Sequence, residues 1–110
     1  MTNNLIARLA EICSQHEWKL VTAESCTGGL VAASITSLAG SSDWFERGYV
    51  TYSNQAKVED IGVPEELILN HGAVSAEVAR AMAEGAKKVT GAHIALAITG
   101  IAGPSGGSPE

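Results

Sequence analysis

Three short runs rich in β-branched and other apolar residues, at 18–23, 44–52 and 93–99, alternate with stretches of helical periodicity. Helix character falls at 4–16, 30–38, 53–61, 64–71 and 75–90. Such alternation favours an α/β fold, a three-layer α/β/α sandwich with helices on both sides of a mostly parallel sheet. The clearest helix is the last. Ser75 caps it and Glu77 follows in the first turn; Val78, Met82, Ala86 and Val89 align, Lys87 and Lys88 fill the last turn, and Gly91 ends it. In the first helix Leu5, Leu9 and Ile12 share a face, with Ile6 and Cys13 beside it. The run at 93–99 is continuously apolar, the pattern of a strand buried on both faces.

A chain of 110 residues makes one domain, 1–110, and 45% hydrophobic against 5% aromatic content makes its core aliphatic. The net charge of -5 argues against a nucleic-acid surface, which needs clustered Lys and Arg. No apolar run is long enough to cross a bilayer, so no membrane partner is expected. Cys13 and Cys26 have neither CxxC nor Cys/His metal spacing, so they read as reduced thiols of a cytoplasmic protein, with no metal and no cofactor. The stretch 100–110 is rich in Gly, Ser and Pro and reads as a loop leaving a strand. Three strands make a thin sheet for so many helices. The expectation is therefore a domain incomplete at its C-terminus, with exposed sheet edges that favour a homo-oligomer.

Chemistry concentrates at Thr22-Ala23-Glu24-Ser25-Cys26-Thr27-Gly28-Gly29, a strand-to-helix junction carrying hydroxyls, a thiol and two glycines. Amides at a helix start are unpaired and lie at the positive end of the dipole, so the junction can hold a phosphate or an oxyanion. It can equally expose a nucleophilic serine on a tight turn, or Ser25 or Thr27 can simply cap a helix. Neither glycine spacing is that of a Walker loop or a dinucleotide fingerprint. Two further segments, 51–57 and 99–104, also leave strand ends. In parallel sheets ligands bind beyond the carboxyl ends of the strands. Convergence of the three loops would gather Ser25, Thr27, Tyr52, Lys57 and Thr99.

Serine needs a base. His16, His71 and His93 read as surface or capping residues, so no Ser/His/Asp set is evident. Lys57 with a lowered pKa, or Tyr52 beside it, could take the proton; the plainer reading of the pair is a buried strand-end tyrosine and a solvated lysine. Arg47 is the other cation near these loops. Cys26, also near a helix start, is a rival nucleophile. A non-catalytic nucleotide- or phosphate-binding module explains the glycines as well as an enzyme does.

The segments TAESCTGGLVAASIT, GSSDWFERGYVTYSNQAK, HGAVS and ITGIAGPSGGSPE, in this order over residues 20–110, closely resemble the CinA C-terminal domain family, that of nicotinamide-nucleotide amidase. The resemblance implies hydrolysis of the carboxamide of nicotinamide mononucleotide to nicotinic acid mononucleotide and ammonia. It implies Ser25, Tyr52 and Lys57 as the catalytic set. Thr27, Gly28, Gly29, Thr99 and Gly100 would then contact the small-molecule nucleotide substrate. Family members usually continue past such a loop through further strands and helices.

Overall fold

The computed structural model describes residues 3–101, so the expectation about the Gly/Ser/Pro-rich tail lies outside the described residues. Strands β1 (Leu20–Glu24), β2 (Phe45–Val50) and β3 (Ile94–Ile98) form one sheet in the order β2-β1-β3, parallel throughout. The helices are α1 (Asn3–His16), α2 (Leu30–Thr36), α3 (Asn54–Ile61), α4 (Glu65–His71) and α5 (Ala76–Thr90), with a 3-10 turn at Ser41–Asp43.

Side chains alternate across a strand, and β1 uses both faces. Leu20 joins Ile6, Cys13, Ile35 and Trp44 in a buried cluster under α1 and α2. Val21 and Ala23 join Ile61, Val63, Ile68, Val78, Met82 and Ala86 under α3, α4 and α5. The expected α/β/α sandwich is therefore the observed one.

The Ser75 cap forms as expected, and Ser53 caps α3 in the same way. Ser53 accepts from the Ala56 amide and Ser75 from the Val78 amide. Three details differ from the sequence reading. The buried stripe of α1 runs through Ile6 and Cys13, with Leu9 and Ala10 partly covered, while Leu5 and Ile12 face outward. On α5 the stripe stops at Ala86, and Val89 is exposed. Strand β3 is only half-buried, with Leu96 exposed. It is an edge strand among the described residues and its apolar run does not sit between two covered faces.

The end of α3 is closed by Gly62 in the left-handed region (φ 67°), with Gly62 N–H bonding to Val58 O and Val63 N–H to Lys57 O. This end rests directly on α5. A Cβ added at Gly85 would lie 1.8 Å from the Ile61 carbonyl oxygen.

Candidate active site

The three loops converge as the parallel sheet requires. Pairing continues one step past the strand ends, with Ser25 N–H on Ile98 O at 2.9 Å and Thr51 N–H on Glu24 O at 2.9 Å. Alternation then sends Glu24 toward α2 and Ser25 toward α3. Lys57 sits early in α3, where the Ser53 cap fixes the first turn.

Lys57 Nζ lies 3.0 Å from Ser25 Oγ, 2.9 Å from Thr51 O and 3.2 Å from Tyr52 O. The lysine is 1% exposed and Ser25 is 7% exposed. Tyr52, in contrast, is 68% exposed. The plainer reading of this pair is thus inverted: the lysine is buried and the tyrosine solvated. Burial pushes the Lys57 amine below its ordinary range, and electrostatic attraction from neighbouring Cys26 opposes this only in part.

The acceptors match the two forms of the amine. An ammonium has three N–H donors, and it can serve Thr51 O, Tyr52 O and Ser25 Oγ together. The Ser25 hydroxyl then turns to Tyr52 O, 3.4 Å away. A neutral amine has two N–H donors and one lone pair. With the donors on the two carbonyls, its lone pair faces the Ser25 hydroxyl. Loss of one proton therefore converts Lys57 from a donor into an acceptor for Ser25.

A cavity of about 280 Å³ opens on this pair, lined also by Cys26, Tyr52, Thr99 and Gly100. Larger hollows of about 450 Å³ lie along α4 and α5 and along α3 and α4, away from Ser25 and Lys57. The Thr99 hydroxyl donates to Ala73 O at 2.9 Å, tying the end of β3 to the loop before α5. Gly100 faces Cys26: an added Cβ would stand 3.3 Å from its sulfur.

Thr27, Gly28 and Gly29 are placed differently from the expectation that their groups hold a substrate anion. The Thr27 hydroxyl donates to Glu24 Oε1 at 2.6 Å, and the Gly29 amide to the same oxygen at 3.2 Å. The Gly28 amide donates to Ser25 O at 3.1 Å. None of the three lines the cavity. The start of α2 already holds an anion of the protein's own, the buried Glu24 carboxylate, which also accepts from the Val31 and Ala32 amides. A second negative charge about 5 Å away would meet a repulsion of roughly 3 kcal/mol at an effective dielectric of about 20. Among the described residues, the amides of Cys26 and Thr27 make no hydrogen bond within the protein.

Residues 2–110 match the model of the CinA C-terminal domain. The chain belongs to the CinA C-terminal domain family. It is 58% identical over 103 residues to a CinA-like protein of Citrifermentans bemidjiense, covering 94% of this chain and 25% of that protein. It is 53% identical over 105 residues to the nicotinamide-nucleotide amidohydrolase PncC of Pseudomonas putida, covering 96% of this chain and 66% of that one. The crystal structure of competence/damage inducible protein CihA from Agrobacterium tumefaciens superposes with a TM-score of 0.91 at 46% identity, over 96% of this chain and 64% of that one. The chain thus spans about a quarter of the length of the first CinA-like relatives it matches.

Within this CinA domain the histidines take the places expected of them. His16 bonds to Ile12 O, His93 accepts from the Lys19 amide, and His71 lies 3.6 Å from Glu77. Arg47 does not belong to the site. It is an exposed β2 residue paired with Glu46, and Lys57 is the cation at the cavity. Among the described residues no group of three or more His, Cys, Asp or Glu could hold a metal ion. Among the described residues no helix is long and apolar enough to cross a membrane. Sequence reasoning missed Glu24. Its signal was available: an acid at the end of a buried strand, six residues before a helix without a hydroxyl cap.

Proposed function

We propose that this domain is a serine–lysine amidase that hydrolyses the carboxamide of nicotinamide mononucleotide to nicotinic acid mononucleotide and ammonia. The 3.0 Å contact between buried Lys57 Nζ and Ser25 Oγ carries the reading. The substrate rests on the 53% identity to a protein named nicotinamide-nucleotide amidohydrolase.

Neutral Lys57 takes the Ser25 proton as Oγ attacks the carboxamide carbon. The amide of Cys26, which lines the cavity, receives the oxyanion, in the manner of the amide that follows a nucleophile on a strand-to-helix turn. Lys57 returns the proton to the leaving nitrogen, the C–N bond breaks and ammonia departs. A water then gives a proton to Lys57 as its oxygen bonds to the acyl carbon; Lys57 passes that proton to Ser25 Oγ as the acyl–Oγ bond breaks, which frees the acid and restores Ser25 and the neutral amine. The substrate phosphate points away from Glu24, toward the Thr99 and Gly100 side of the cavity. Tyr52 serves Lys57 through its backbone carbonyl, and its exposed phenol contacts substrate at the mouth.

The test is ammonia release from nicotinamide mononucleotide across pH. The rate should rise with pH as Lys57 loses its proton and level off below the ordinary lysine range near 10.4, since its pKa is lowered. A rate that fell over this interval, or no ammonia at any pH, would end the reading. A non-catalytic binding module would bind the nucleotide and release none.

Two substitutions rank the neighbouring groups. Tyr52→Phe should cost less than about tenfold in kcat, because its carbonyl stays in place, and Cys26→Ala should keep most activity. Inactivation by Cys26→Ala with Ser25→Ala still active would move the nucleophile one residue along.

A further inference from the structure

The loop that carries Ser25 is held from behind by a single side chain. Glu24 is fully buried and uses both carboxylate oxygens. Oε1 accepts from the Thr27 hydroxyl at 2.6 Å, the Gly29 amide at 3.2 Å and the Val31 amide at 2.9 Å; Oε2 accepts from the Ala32 amide at 2.8 Å. These four bonds span residues 24–32 and enclose the nucleophile, the candidate oxyanion amide of Cys26 and the first turn of α2. The turn needs such a clamp. Gly28 and Gly29 take left-handed φ values of 61° and 107°, a conformation with much freedom to lose. Helix α2 has Gly29 at its N-cap and no side-chain cap of its own, so its first amides would otherwise be orphans. Burial alone would raise the carboxyl pKa, but the Thr27 hydroxyl and the Ala32, Val31 and Gly29 amides outweigh it and hold the group ionised below its usual range.

We propose that Glu24 is the positioning residue of the serine–lysine site, fixing Ser25 and the Cys26 amide through the loop it clamps. This rests on the amidase reading above. Glu24 faces α2 and Lys57 faces Ser25 from α3, so the carboxylate touches no reacting group. It acts through geometry. Catalytic constellations are sensitive to this: a displacement of about 1 Å can cost on the order of 10²-fold. A helix cap with no such role would change how much protein is folded and leave the rate per folded molecule unaltered.

The full chain and two variants, Glu24→Gln and Thr27→Val, separate these roles. Glu24→Gln keeps the shape but sets an NH₂ against one of the donors. Thr27→Val deletes only the 2.6 Å bond and serves if the first variant fails to fold. Two readouts are used, each normalised to the folded fraction from circular dichroism. One is ammonia release from nicotinamide mononucleotide. The other is labelling by a fluorophosphonate, in which Ser25 Oγ bonds to phosphorus, fluoride leaves and Lys57 takes the proton. In Glu24→Gln, kcat and the labelling rate should fall roughly 10- to 100-fold with KM within about twofold. Thr27→Val should show a smaller loss of the same kind. The pH at which labelling is half-maximal should stay unchanged in both, because Lys57 is untouched. Labelling within twofold of the parent in either folded variant, or a loss that only tracks unfolding, overturns the inference. A parent that labels at Ser25 but releases no ammonia overturns the substrate reading alone. A parent that does neither overturns both.

Discussion

Lys57→Met should lower kcat for ammonia release by on the order of 10²–10⁴-fold, the usual worth of a positioned general base. The variant should still fold, because methionine fills the same buried volume with no ammonium to desolvate. Ser25→Ala should be at least as severe, since it removes the atom that forms the acyl-enzyme. The informative variant is the double one. Residues that act as a unit are not additive, so Ser25→Ala/Lys57→Met should be within a few-fold of the worse single variant. Multiplied losses would mean that the two side chains act independently, and the 3.0 Å contact between them would then have no catalytic meaning. Steady-state ammonia release measured on all four proteins at one pH decides it.

Gly85→Ala should be the most damaging single methyl addition in the domain. Two effects oppose each other. Replacing glycine inside a helix by alanine ordinarily gains about 1 kcal/mol. Here the new Cβ would stand 1.8 Å from the Ile61 carbonyl oxygen, a backbone atom that cannot swing aside. Overpacking against a fixed neighbour costs about 1–3 kcal/mol and sometimes more, and relief requires the end of α3 to move. The clash wins, and a loss of more than about 2 kcal/mol should lower Tm by about 8 °C or more in a domain of this size. Glu84→Ala, on the exposed side of the same helix, is the control and should shift Tm little. A more stable Gly85→Ala protein would mean that α3 does not rest on α5 as described. Any folded variant should also be a poor enzyme, because α3 carries Lys57.

Periodicity made the layers readable from sequence. Apolar runs alternating with capped helices leave few architectures, and Ser53 and Ser75 announce their helices through spacing alone. The pairing of Ser25 with Lys57 followed from convergence of loops at the strand ends together with the family resemblance. Three things were not readable, each because it depends on a partner distant in sequence. Gly85 reads in isolation as a weak helix former, and only contact with Ile61 gives it a function. The edge position of β3 depends on strand order, so an apolar run mistaken for a doubly buried strand is only half-covered. Glu24 looks like an ordinary loop-facing acid until α2 is placed over it, and then the helix start expected to welcome an anion proves already occupied.

Neighbouring positions on β1 belong to opposite sides of the sheet, and the site depends on that parity. Even-numbered Leu20, Thr22 and Glu24 look toward α1 and α2; odd-numbered Val21, Ala23 and Ser25 look toward α3 and α5. Deleting or inserting one residue before Glu24, with the start of the strand held in register, would send every residue after the change to the opposite face. The carboxylate would then confront the Lys57 amine as a plain ion pair, and the serine would be left among the amides of α2, with no base within reach. Substitutions along β1 are therefore a matter of degree, whereas a change of length by one is a change of kind. Any redesign of this strand has to proceed in steps of two.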